Sequence, residues 1–178
     1  MASDVLGVMD HLGIDQAALV GWSDGAIIGL ELGIHHPERL TKVVAYGANY
    51  IPEGISFPWD ESDSATPGAE ATPSTEATPD AEAVDPVWEE LLALYKVAPN
   101  FTEDQLKSIS VPFLILDGEE EEFIRPDQPV RLAELIPGAT LVLMPGVGHF
   151  AMFDKSEEFN RIVLEFLASP DEGATPGP

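Results

Sequence analysis

The sequence predicts an α/β fold, a mainly parallel sheet of about four strands flanked by helices. Three observations carry that reading. Short runs of β-branched and aromatic residues alternate with stretches apolar at helical spacing. Glycine or proline follows several of these stretches as a stop. Strands separated by helices, and not by tight hairpin turns, require the crossovers of a parallel sheet with helices on its faces.

Taken in order, Val5, Val8, Met9 and Leu12 mark a first helix that Gly13 stops. Ala17–Val20 is a short apolar strand running directly into Gly21. Ala26 to His35 is helical and apolar on most sides, and Pro37 ends it. Leu40–Tyr46 reads as a buried strand. From Ala65 to Glu82 the hexapeptides ATPGAE, ATPSTE and ATPDAE stand in tandem. Without aliphatic residues they cannot build a β-helix coil, so residues 60–85 are expected to be a disordered acidic linker. Val87–Val97 returns to an amphipathic helix with Trp88, Leu91, Leu92 and Tyr95. Phe113–Leu116 is a strand, Val130–Ile136 a helix stopped by Pro137-Gly138, Leu141–Met144 a strand, and Glu157–Leu167 a final helix. The organisation is thus 1–59, linker 60–85, 86–168, and a disordered tail 169–178 containing a further Ala-Thr-Pro.

With 178 residues, 44% of them hydrophobic, the chain can bury a real core. Eight Lys+Arg stand against 32 Asp+Glu, a formal charge of −24. That field repels nucleic acid and anionic membrane surfaces, so neither is expected as a partner. No cysteine is present, which excludes disulfides, thiolate metal sites and a Cys nucleophile. No apolar run approaches the ~18 residues of a membrane span. Residues 1–20 lack the pattern of a signal peptide, so the chain as it stands is expected in the cytoplasm; an upstream signal peptide would make it secreted.

Gly21-Trp22-Ser23-Asp24-Gly25 matches G-x-S-x-G. A strand ends at its first Gly and a helix begins after its Ser, the setting of a nucleophile elbow. Such a turn crowds its backbone, so Gly21 and Gly25 are expected where a Cβ would not fit. It exposes Ser23 at the carboxyl edge of the sheet, where the Asp24 N–H and the helix dipole face a developing oxyanion. A Gly-Ser turn without chemistry is the plain alternative.

GWSDGAIIGLELGIHHPERLTKVVAYGANY, VPFLILDGEEEEFI and LVLMPGVGHFAMF resemble the elbow, acid and histidine segments of serine α/β-hydrolases, especially the biphenyl hydrolase-like valacyclovir hydrolase branch. The resemblance covers residues 1–50 and about 98–168. It implies a partial α/β-hydrolase fold and a triad ordered Ser23, Glu121, His149. His149, after Gly148, is the implied general base; a solvated loop histidine is the plain alternative. His11 and the His35-His36 pair are weaker candidates, at helix ends. The family places an Asp three residues beyond Gly118, and this chain has Glu121 there. Asp117 is the next candidate acid, and Glu119, Glu120 and Glu122 are neighbours that either substitute or face solvent. A cation site in this run of Glu is the remaining reading, weakened because consecutive residues do not converge on one ion unaided. No metal and no cofactor are expected, since triad chemistry needs none.

The family's sheet begins with strands that precede the first helix here, including a loop that supplies a second oxyanion donor. Losing one donor costs roughly 3 kcal/mol of transition-state stabilisation. A truncated gene product is therefore expected, with Ala17–Val20 an apolar edge through which the chain self-associates, or a chain only marginally folded. The leading functional expectation is a serine hydrolase of a small ester or activated amide, with lowered activity. A perhydrolase reaction uses the same triad, whereas dehalogenases and epoxide hydrolases carry Asp where Ser23 stands. The alternative of another class is a degenerate hydrolase fragment serving as a non-catalytic binding or assembly module.

Overall fold

The computed structural model describes residues 1–56 and 86–170. The expected linker at 60–85 and nearly all of the expected tail lie outside the described residues, as does the Trp88 side chain. The elements run α1 (Ala2–Leu12), β1 (Ala17–Trp22), α2 (Asp24–His35), β2 (Leu40–Tyr46), α3 (Pro86–Tyr95), α4 (Glu103–Lys107), β3 (Phe113–Gly118), α5 (Asp127–Leu135), β4 (Thr140–Met144), α6 (Ala151–Asp154) and α7 (Ser156–Ala168). A 3-10 turn at Pro37–Arg39 leads α2 into β2, where Pro37 was expected to end the helix.

The four strands lie in sequence order, β1-β2-β3-β4, and every pair is parallel. Val20 pairs with Val44, Val44 with Leu114, and Leu114 with Thr140. A sheet that always advances in one direction through right-handed crossovers must place its crossover elements on one face. The core divides accordingly. Val43 and Ala45 of β2, with Phe113 and Ile115 of β3, pack with Ala26 and Leu30 of α2, Leu106 of α4 and Leu132 of α5. Their alternate neighbours Val44, Tyr46, Leu114 and Leu116 face Phe159 and Val163 of α7, which follows the last strand and is free to take the other face. Both faces of β3 are covered and all six of its residues are buried, which is why its first four residues are a continuous apolar run.

At β1 the second face is only partly covered by described residues. Among the described residues this strand pairs with β2 alone, and Val20 and Trp22 are 49% and 40% exposed. Two short helices, α4 and α6, were not expected from periodicity, being little more than one turn long. The first nevertheless carries a signature: Thr102 and Gln105 form a reciprocal capping box.

No described helix is long and apolar enough to cross a membrane. The one buried lysine, Lys42, has a structural explanation. It sits on the face of β2 toward α7, 5% exposed, and its ammonium donates to the carbonyls of Phe166 (3.1 Å) and Leu167 (3.2 Å) and to that of Ser169. A cation there satisfies helix-end carbonyls and complements the dipole. Lys42→Met is expected to lower unfolding free energy by about 2 kcal/mol and to speed amide exchange selectively in the last turn of α7. Uniform exchange across the sheet, with no local effect in α7, would count against this role.

Candidate active site

The elbow is built at the end of β1. Ser23 has φ 55 and ψ −119, the only positive φ of a non-glycine among the described residues. A side-chain-bearing residue holds such a conformation only where its surroundings enforce it. Here the Ser23 N–H donates to Tyr46 O at 2.8 Å, while Ser23 O accepts from Ala26 N at 2.9 Å and Ile27 N at 3.2 Å. The turn is thereby tied to β2 on one side and becomes the first turn of α2 on the other. Ser23 stands at the N-cap of α2, yet its side chain makes no capping hydrogen bond, so its hydroxyl is not spent on the helix. The Asp24 N–H belongs to the first turn, whose amides have no intrahelical acceptor.

The two elbow glycines differ. A Cβ at Gly21 would lie 2.2 Å from Gly25 O, so only glycine fits. A Cβ at Gly25 would meet nothing within 4 Å, which corrects the expectation that both positions exclude one.

Beyond β4 a loop carries His149 back over the carboxyl edge. His149 Nδ1 lies 3.0 Å from Glu121 Oε1 and 2.9 Å from Oε2. The side chains are 7% and 4% exposed. Glu121 Oε1 also accepts from the N–H groups of Phe123 (2.8 Å) and Ile124 (3.2 Å). Burial pushes the Glu121 carboxyl up, but its hydrogen bond to His149, the His149 charge and the Phe123 amide together hold it below the ordinary value. A carboxylate at Nδ1 assigns the proton to that nitrogen and leaves Nε2 toward the other side.

Five contacts fasten the histidine loop. Glu119 N donates to Met144 O (2.9 Å) and Glu120 N to Val147 O (3.0 Å). Tyr46 Oη donates to Gly148 O, Trp22 Nε1 to His149 O (2.8 Å), and His149 N to Glu122 Oε2 (3.1 Å). Trp22, Phe123 and Phe150 surround the imidazole with ring centroids 5.4, 5.0 and 5.6 Å away.

Ser23, Asp24 and His149 line one cavity of about 200 Å³ with Ile27, Asn49 and Tyr95. Tyr95 Oη donates to Asp24 Oδ2 at 2.8 Å. Burial, then the Asp24 hydrogen bond and charge, hold the phenol well above its ordinary value, so Tyr95 stays a donor and fixes the carboxylate in the wall. No Ser23–His149 hydrogen bond is present among the described contacts; in substrate-free sites such bonds are commonly loose.

The structure therefore brings Ser23, Asp24, Glu121 and His149 together. Asp117, the alternative acid, is 1% exposed and accepts from Gly118 N–H at 2.9 Å; it lies behind Glu121 rather than on the imidazole. Glu122 neither replaces Glu121 nor simply faces solvent, since it holds the backbone of His149. His11 ends α1, His35 lies 3.8 Å from Glu31, and His36 lies 3.5 Å from Glu38, all on helix ends away from the cavity. Among the described residues no group of three or more His, Asp or Glu is arranged to hold a metal.

Sequence reasoning passed over Gly47, Tyr46, Trp22 and Tyr95. Gly47 has φ 65, and a Cβ there would lie 2.8 Å from His149 Cε1 and 3.0 Å from Nδ1. The available signal was its place directly after the strand Leu40–Tyr46. The other three read as core or amphipathic aromatics, and nothing local marks their polar tips as partners of this site.

The model of the alpha/beta hydrolase family matches residues 1–162. The chain is 28% identical over 200 residues to a 2-hydroxy-6-oxo-6-phenylhexa-2,4-dienoate hydrolase of Burkholderia cepacia, covering 94% of this chain and 68% of that protein. It is 29% identical over 173 residues to the serine hydrolase BPHL of Mus musculus, covering 93% and 60%. The carboxylesterase CesB of Bacillus subtilis superposes with a TM-score of 0.63 at 21% identity, covering 94% of this chain and 65% of that one. The chain thus spans 60 to 68% of the length of these proteins.

Gly47→Ala imposes a left-handed conformation on a side chain, at about 1–2 kcal/mol, and crowds the imidazole. The expected result is a lowered melting temperature together with shifted His149 ring-nitrogen NMR resonances. Unchanged ring resonances in a folded variant would show that the close approach does not position His149.

Proposed function

The chain belongs to the alpha/beta hydrolase family, and on that premise we propose that it is a serine hydrolase that cleaves a small ester through an acyl-enzyme on Ser23. One observation carries this reading: Glu121 grips Nδ1 of His149, which leaves Nε2 for Ser23 across a shared cavity. Ser23 Oγ attacks the ester carbonyl as His149 Nε2 takes its proton, and Glu121 stabilises the imidazolium that forms. The tetrahedral oxygen develops toward the Asp24 N–H at the start of α2. Collapse breaks the C–O bond, and the leaving alkoxide takes its proton from His149. Water, deprotonated by the same imidazole, then releases the acid and restores Ser23.

The wall of the cavity narrows the substrate. Its described lining contains no Lys or Arg and includes the fixed Asp24 carboxylate. An anionic substrate, such as the dienoate in the name of the Burkholderia relative, finds no Lys or Arg in the described lining. A neutral or ammonium-bearing acyl group is favoured.

Hydrolysis of p-nitrophenyl acetate and butyrate is expected, with Ser23→Ala and His149→Ala each lowering kcat by about 10⁴-fold or more, and Glu121→Gln by roughly 10³–10⁴-fold. A fluorophosphonate probe is expected to label Ser23. A folded chain that neither turns over ester nor accepts the probe is a non-catalytic module. Asp24→Asn keeps the backbone donor and removes the charge. It is expected to lower the preference for an aminoacyl ester over butyrate, read as the ratio of their kcat/KM values, by about 10–100-fold. Equal effects on both esters would refute the charge preference.

A further inference from the structure

Asp117 is a buried carboxyl that the proposed mechanism does not use. It closes β3, is 1% exposed, and its two oxygens are treated differently. Oδ1 accepts the Gly118 N–H at 2.9 Å, whereas Oδ2 is buried with no hydrogen-bond partner. The group beside it is the Glu121 carboxyl, which is itself an acceptor. Two ionised carboxyls in one dry place repel, and neither can donate to the other. One proton between them removes the repulsion and converts the orphaned oxygen into a donor.

The surroundings decide which carboxyl holds that proton. Glu121 already receives the N–H groups of Phe123 and Ile124 and faces Nδ1 of His149. Hydrogen bonds of this kind favour the charged form. Asp117 receives only the Gly118 amide. Of the remaining titratable groups around Asp117, Tyr46 from β2 and Glu122 from the loop of Glu121 add no cation, and the charge of His149 acts on Glu121.

We propose that Asp117 holds a proton and donates it in a hydrogen bond to Glu121, so that the two carboxyls share one negative charge and Asp117 is a positioning residue for the Glu121–His149 pair. The positioning role rests on Glu121 being the acid of the triad; the shared proton does not. The arrangement leaves Glu121 ionised while giving its carboxylate a further donor beside the Phe123 and Ile124 amides. Burial, followed by the charge of Glu121, pushes the Asp117 carboxyl up to about 8. Because this folded value lies above that of an unfolded Asp, the associated stability is fully present at low pH. It is lost progressively as pH rises from the ordinary carboxyl range to about 8, above which none of it remains.

The test is infrared spectroscopy of the full chain carrying isotope-labelled aspartate, which separates the carbonyl stretch of a protonated Asp from the carboxylate bands. A protonated band is expected at neutral pH, disappearing on alkaline titration and absent in Asp117→Asn. Asp117→Asn, which keeps a neutral donor toward Glu121, is also expected to flatten the decline of melting temperature as pH rises from the acid range to about 8 and to retain ester turnover at neutral pH. Asp117→Ala, which lacks the donor, is expected to lose turnover by lowering kcat with KM little changed. Should Asp117→Asn fail to fold, Glu121→Gln provides the second reading: removing the neighbouring charge is expected to move the titration of the band to lower pH. Absence of a protonated band in the wild type, its persistence in Asp117→Asn, or an unmoved midpoint in Glu121→Gln overturns the shared proton. Full turnover in Asp117→Ala overturns the positioning role. If the band behaves as expected and no ester is hydrolysed by the wild type, the carboxyl pair stands and the hydrolase reading fails.

Discussion

Holding the Glu121 carboxylate out of water is the constraint around which this edge of the molecule is arranged. A buried anion costs several kcal/mol unless its lone pairs are occupied and a partner offsets its charge. The Glu121 side chain is 4% exposed, so the cost applies nearly in full. Two backbone amides and the His149 ring answer it. Those answers work only if two loops, one after β3 and one after β4, are locked together. That accounts for the two backbone bonds that join them and for the separate tethers from Tyr46, Trp22 and Glu122. The aromatic rings around His149 complete the arrangement by excluding the water that would weaken the contact.

The topology makes this edge the natural place for such a constraint. In a parallel sheet every strand delivers its following loop at the same end. Ser23 follows β1, Gly47 follows β2, Glu121 lies just beyond β3 and His149 beyond β4. Residues far apart in sequence thus meet without any long excursion of the backbone. The strands fix the bases of the loops, and side-chain tethers need only fix their tips. Gly47 contributes by absence: the strand between the elbow and the acid must be followed by a residue with no side chain, or the imidazole could not lie across it.

Much of this was legible in the sequence because it depends on local pattern. The four strands and the five longer helices follow from apolar periodicity and from stops at Gly13, Pro37 and Pro137-Gly138. Observed boundaries differ where hydrogen bonding outruns hydrophobicity: β1 continues through Gly21 to Trp22 because Gly21 and Trp22 pair with Ala45 and Tyr46. Ser23 and His149 were marked by their glycine neighbours. What was illegible is whatever depends on which atoms meet across the sheet. Among the consecutive acids 119–122, residue type alone shows equivalent carboxylates, and only the family spacing singles out Glu121. Chain direction after β3 buries Glu121, leaves Glu119 and Glu120 exposed, and sends Glu122 to the His149 amide. Lys42, inside an otherwise buried strand, becomes intelligible only when the end of α7 is seen above it.

Under the proposed reaction, the Asp24 carboxylate works against the charge that develops one residue away. At an effective dielectric of about 20 and a separation of roughly 6 Å, a carboxylate and an oxyanion repel by about 3 kcal/mol. That is comparable to the stabilisation one oxyanion donor supplies. Tyr95 does not relieve this repulsion, because a neutral phenol orients the Asp24 carboxylate without cancelling its charge. A site tuned for neutral acyl groups would gain from an apolar side chain at that position. An ammonium brought by the substrate reverses the balance, since it pairs with Asp24 and leaves the oxyanion opposed by a neutral pair. The interaction then acts mainly in the transition state, where the second negative charge appears, and binding energy spent there raises kcat as well as affinity. Placing a fixed carboxylate beside the nucleophile thus discriminates by charge at the chemical step, which a cavity of about 200 Å³ lined largely by apolar and aromatic groups would otherwise do only by size.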